Sequence, residues 1–66
     1  MKIGERLKEL RIEKNLSQRS LAKDVGYSQP AIARWEANIQ IPNAEVIIVF
    51  AKYFKVTSDY ILGLED

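Results

Sequence analysis

The chain has 66 residues, 47% of them hydrophobic and 29% charged, which predicts one small domain near the lower size limit for a chain without cross-links. It has no Cys and no His, which excludes disulfides and thiolate metal sites and removes the commonest general base. The net charge is only +1, but residues 1–36 carry eight basic against five acidic side chains, while residues 37–66 carry two against four. The basic half is the half expected to meet a polyanion.

Ile3, Leu7 and Leu10 lie on one face at helical spacing and predict a first helix over residues 2–14. Glu5, Glu9 and Glu13 repel one another one turn apart, and Arg6 and Lys8 partly offset this. Asn15 is expected to stop the helix in the left-handed conformation, with Leu16 turning inward. Ser17 caps a second helix, in which Leu21, Ala22 and Val25 are apolar and Gly26 closes the end. Ser28 caps a third helix, with Gln29 and Pro30 in its first turn, where a missing N–H costs little. Its inward positions are Ile32 and Trp35, and it is expected to end near Ala37, with Asn38 left-handed. Two short helices joined by a Gly-containing turn form a helix-turn-helix, with Ala22 small enough to let them cross closely.

Residues 39–42 read as a loop, because Pro42 pushes Ile41 to an extended conformation. Asn43 caps a fourth helix, with Glu45 at the positive end of its dipole. Ile47, Ile48, Phe50, Ala51 and Phe54 supply its apolar face through Lys55. Val56 turns inward, and Thr57 caps a short fifth helix that Gly63 ends, with Ile61 and Leu62 on its buried side. Lys52, Tyr53 and Lys55 are expected in solvent. No stretch alternates with period two, so the expected fold class is all-α: a compact orthogonal five-helix bundle forming a single domain over 1–66. The longest apolar run, residues 46–51, is far short of the ~18 residues of a membrane span. MKIGER lacks the apolar segment of a signal peptide, so a soluble, cytoplasmic chain is expected.

The outward side of the third helix carries Ser28, Gln29, Pro30, Ala33 and Arg34. Gln29 can pair bidentately with adenine N6 and N7, and Arg34 with guanine O6 and N7. Pro30 and Ala33 can touch a thymine methyl and leave room for a duplex. Taken alone, Gln29 and Arg34 read more readily as solubilising residues on an exposed face.

LKELRIEKNLSQRSLAKDVGYSQPAIARWE, followed by IPNAEVIIVFAKYF and VTSDYILGL, resembles the lambda-repressor-like (Cro/Xre-type) helix-turn-helix family over nearly the whole chain. The features in register are LSQ opening the second helix, Ala22 and Gly26 in the motif, RWE closing the third, Pro42 before the fourth and the terminal VTSDYILGL. The resemblance implies a five-helix domain that binds a double-stranded DNA operator as a homodimer in bacterial or phage transcription control, nucleoid-associated when bound and more often a repressor. It favours base reading by the third helix. It implies phosphate contact by Gln18, with a Gln18–Gln29 hydrogen bond. Ser17 and Arg19 lie beside Gln18 at a helix N-terminus suited to a phosphate. The family often places Gly and basic residues in the loop after the third helix. Here Asn38 and Gln40 are the side-chain donors left for phosphate. The family also buries an Arg–Glu pair between the first and third helices, which falls on Arg11 and Glu36; the alternative is that Arg11 touches DNA.

Ile39, Ile41, Val46 and Val49 are more apolar than a monomer surface needs. With Tyr60 and Leu64 they form a candidate dimer interface; the alternative is that Ile41 and Val46 fill a small core and the others are single exposed apolar residues. The same surface motivates a second reading, an antitoxin-like module with a regulatory protein partner. No carboxylate pair, phosphate-cradling Gly loop or metal cluster occurs, so no catalysis, cofactor or metal is expected.

Overall fold

The computed structural model describes residues 2–65. These form α1 (Lys2–Glu13), α2 (Gln18–Val25), α3 (Gln29–Glu36), α4 (Ala44–Phe54) and α5 (Ser58–Leu62), with no strand among the described residues. The expected bundle is present. α2, α3, α4 and α5 start where an oxygen-bearing side chain can accept an otherwise orphaned N–H. Ser17 Oγ accepts from Ser20 N at 3.0 Å, Ser28 Oγ from Ala31 N at 3.2 Å, Asn43 Oδ1 from Val46 N at 2.9 Å and Thr57 Oγ1 from Tyr60 N at 3.0 Å. The Thr57 hydroxyl also donates to the Glu65 carboxylate.

Each helix sends one fully buried side chain to the centre: Leu7, Leu21, Ile32, Phe50 and Ile61. Burial of each such side chain contributes about 1.5–3 kcal/mol. The Phe50 ring meets Trp35 edge-on at 5.8 Å between centroids and stacks with Phe54 at 6.2 Å. Tyr27 meets Trp35 edge-on at 5.4 Å and lies 6.2 Å from Phe50, so the three rings pack together. The Trp35 Nε1–H is buried without a partner among the described residues, a cost of ~1–3 kcal/mol that ring packing offsets.

α4 settles one open choice and corrects one expectation. Val46, left open between a dimer interface and the core, is only 6% exposed and belongs to the core with Ile47, Phe50, Ala51 and Phe54. Ile48, expected inside, is 48% exposed. Leu62 likewise faces outward on α5, where only Ile61 is buried. Lys55 does not continue α4. It closes the helix at φ 58°, as Asn15 and Asn38 close α1 and α3 at φ 57° and 58°.

Tyr53 is half-buried, not solvated as expected. Its hydroxyl donates to Asp24 Oδ2 at 2.6 Å, its ring meets Phe54 edge-on, and Lys14 Nζ lies 5.8 Å from its centroid. The hydrogen bond to Asp24, helped by desolvation and the carboxylate charge, raises the phenol above its ordinary value of 10.0. A raised folded-state value favours folding below the unfolded phenol's titration, and that contribution disappears as pH rises through the raised value. Tyr53→Phe is therefore expected to remove part of the alkaline loss of stability in urea melts between pH 9 and about 12. An unchanged alkaline slope would show that the contact does not form in solution.

Gly4 lets α1 lie against the end of α3. A Cβ there would sit 2.5 Å from the Glu36 carbonyl oxygen, 2.6 Å from that of Trp35 and 2.7 Å from Asn38 Oδ1. The Gly4 N–H donates to Asn38 Oδ1 at 3.1 Å. Gly4→Ala must push two pieces of backbone apart, and a loss of about 1–3 kcal/mol is expected by thermal and urea unfolding despite alanine's better helix propensity.

Candidate nucleic-acid interface

α2 and α3 are held at a fixed angle by the turn between them. Gly26 adopts φ 80°, and both its N–H and that of Tyr27 donate to the Ala22 carbonyl, at 2.9 and 3.1 Å. Ala22 is buried where the helices meet, as its size suggests. Ile32 and Trp35 anchor α3 from behind. Its other side leaves Ser28, Pro30 and Arg34 exposed and Gln29 and Ala33 half-buried. The five candidate base-reading residues thus occupy one accessible side of a helix backed by the core. At the start of α2, Ser17 and Arg19 are exposed and Gln18 is half-buried.

Behind this surface lies a continuous polar chain. Arg11 grips Glu36 bidentately, Nε to Oε2 at 2.7 Å and Nη2 to Oε1 at 3.0 Å, with side chains only 12% and 4% exposed. Arg11 Nη1 also donates to the Leu16 carbonyl at 2.8 Å, fixing the α1–α2 turn. Pairing with Glu36 raises Arg11 above its already high ordinary value, so the guanidinium stays charged. Gln18 Nε2 donates to Glu36 Oε1 at 3.1 Å, and Gln29 Nε2 donates to Gln18 Oε1 at 2.9 Å. The Gln–Gln pair and the Arg–Glu pair expected from the resemblance are both present. Their connection through Gln18 and Glu36 was not expected, because it joins side chains from three helices.

The loop after α3 is arranged differently from expectation. Gln40 Oε1 accepts from Arg34 Nε at 2.9 Å, so a proposed phosphate donor and a proposed base reader face each other. The Asn38 side-chain oxygen is directed to α1, as described above. Of the apolar candidates outside the core, Ile39 is 76%, Ile41 58% and Leu64 73% exposed. Val49 and Tyr60 are half-buried, and the Arg6 guanidinium lies 4.3 Å from the Tyr60 ring centroid.

These features define a helix-turn-helix protein: two crossing helices on a fixed turn, the second lying across the outside of a small bundle. A helix-turn-helix family model matches residues 7–61, and the chain belongs to this family, of the Cro/C1 type. It is 39% identical over its whole length to the HTH-type transcriptional activator BcrR of Enterococcus faecalis, covering 32% of that protein. It is 35% identical to repressor protein C2 of Salmonella phage P22, across 91% of this chain and 28% of that protein. The chain therefore spans about a third of these curated relatives' length. Its fold matches the DNA-binding domain of the P22 C2 repressor in solution, with a TM-score of 0.84 at 34% identity over 94% of this chain and 82% of that one. It matches the P22 c2 repressor in complex with a synthetic operator with a TM-score of 0.85 at 33% identity over 92% of both chains.

Proposed function

We propose that this chain is a sequence-specific DNA-binding module of a transcriptional regulator, with α3 seated in the major groove of a double-stranded operator. The observation that carries the reading is the accessible side of α3. Gln29 stands on it with its side chain held by Gln18, and Arg34 stands on the same helix beside Gln40. Side chains that are already ordered lose less freedom on binding. Gln29 reads adenine, and Arg34 reads guanine or holds a phosphate; Ser28, Pro30 and Ala33 line the approach. Ser17, Gln18, Arg19, Asn38 and Gln40 face the phosphate backbone. A P22 repressor with this fold is seen in complex with a synthetic operator, which supports duplex binding here.

The reading includes a homodimer on a palindromic site, with half-sites about 34 Å apart. A single module buries little surface on DNA, and two modules together give the affinity an operator needs. The exposed Ile39, Ile41 and Leu64, with Val49 and Tyr60, supply apolar surface for the second copy. Named relatives include an activator and a repressor, so duplex binding is the shared property, and repression follows where the operator overlaps a promoter. Selection from a random duplex pool at physiological salt tests the reading. A recovered palindrome with two half-sites supports it. Equal, weak recovery of all sequences overturns it.

A further inference from the structure

We propose that Glu36, a residue that no duplex touches in this reading, sets which way round the Gln29 amide faces and thereby makes it discriminate adenine from guanine. The inference rests on the base-reading role of Gln29 and adds a positioning residue behind it. A glutamine amide is ambiguous by half a turn, since its oxygen and nitrogen are nearly the same size. The hydrogen-bond chain removes the ambiguity. Glu36 is gripped by a permanently charged Arg11 and can only accept. Gln18 must therefore turn its Nε2 toward Glu36, as it does at 3.1 Å. That leaves Gln18 Oε1 as the atom facing Gln29, so Gln29 must approach with Nε2, as it does at 2.9 Å. Polarity passes from a buried ion pair to an accessible side chain through two amides.

The chemical consequence is specific. One of the two Gln29 Nε2 hydrogens is engaged by Gln18, leaving one N–H and the Oε1 acceptor for a base. Adenine offers one acceptor, N7, and one donor, N6–H, and satisfies both. Guanine offers two acceptors, N7 and O6, so one of them would face the Gln29 oxygen. A Gln29 free to turn could instead direct both N–H groups at guanine. The lock therefore works mainly by rejecting the wrong base.

The test has two readouts on the whole chain. The first is the side-chain amide NMR spectrum of the 15N-labelled protein without DNA. Two resolved Gln29 Nε2 hydrogens are expected, one protected from solvent exchange. The double variant Arg11→Met with Glu36→Leu replaces the ion pair by apolar side chains of similar reach, a change that generally preserves folding. It is expected to stay folded and to lose that protection. Gln18→Ala is the second variant, removing the link while leaving the ion pair intact, and the same loss is expected. Exchange-averaged Gln29 hydrogens in the unaltered chain, or protection that survives in both variants, would overturn the proposal.

The second readout is selection from the random duplex pool. The preference for adenine over guanine at the Gln29 position is expected to fall about tenfold in the double variant. An unchanged ratio would overturn the specificity role. A protected Gln29 amide in a chain that selects no duplex would support the positioning and overturn the DNA reading.

Discussion

Glu36→Ala is expected to cost about 3–5 kcal/mol of folding stability, because it strands the Arg11 charge at a site where its side chain is only 12% exposed. A 66-residue domain has only about 3–10 kcal/mol in total. The variant is therefore expected to be largely unfolded at 37 °C, or to melt far below the unaltered chain, with a matching fall in the urea midpoint. The loss goes beyond one ion pair. Glu36 accepts from two donors of Arg11 and from Gln18, so its removal releases α1, α2 and α3 together. Arg11→Met with Glu36→Leu is expected to recover most of the stability, since it leaves no unpaired charge. A Glu36→Ala midpoint equal to that of the unaltered chain would mean that solvent reaches Arg11 in solution.

Replacing both Gln29 and Arg34 with alanine is expected to abolish discrimination between the selected operator and unrelated duplex, while leaving the fold intact. Each bidentate base contact contributes about 1–3 kcal/mol of discrimination, so the pair together is worth roughly thirty-fold to beyond ten-thousand-fold in relative affinity. Both side chains lie on the side of α3 away from Ile32 and Trp35, so thermal melting should change little. Weak, salt-sensitive binding through Arg19 and the backbone should persist, because phosphate contacts carry no sequence information. Titration of the selected site against a scrambled one, in parallel with thermal melts, separates the two effects. Equal specificity in the double-alanine variant would show that α3 is not the reading helix.

What the sequence revealed was mostly what is decided locally. Ser17, Ser28, Asn43 and Thr57 each act on an N–H three residues ahead, and Gly26 and Gly63 adopt the positive φ that their positions suggested. α4 was harder because residues 46–51 are all apolar, and an apolar run offers no polar stripe to phase against. The phase was nonetheless present in Glu45 and Lys52. These exposed residues share a face with Ile48 and Val49, which leaves Val46, Ile47, Phe50, Ala51 and Phe54 inside. Lys55 gave no signal, since nothing in a lysine side chain favours the left-handed region. The need to tuck Val56 and restart at Thr57 accounts for the turn there.

The remaining gaps involve residues far apart in the chain. Gly4 reads as a weak helix former until the Trp35 and Glu36 carbonyls are placed against it. Tyr53 reads as a surface residue until Asp24 is brought beneath its hydroxyl. At the interface, Gln18–Gln29 and Arg11–Glu36 were expected as separate pairs through family resemblance. Only the packing of three helices joins them into one chain.

The local character of the helix caps also bears on how quickly the chain reaches its native state. Four helix starts are closed by a side chain within one turn, and connections between helices are short. Little loop entropy must be lost before the first contacts form, so the molecule sits among topologies that collapse and order in microseconds to milliseconds. Such a segment can emerge from a ribosome and become competent before a longer polypeptide is finished.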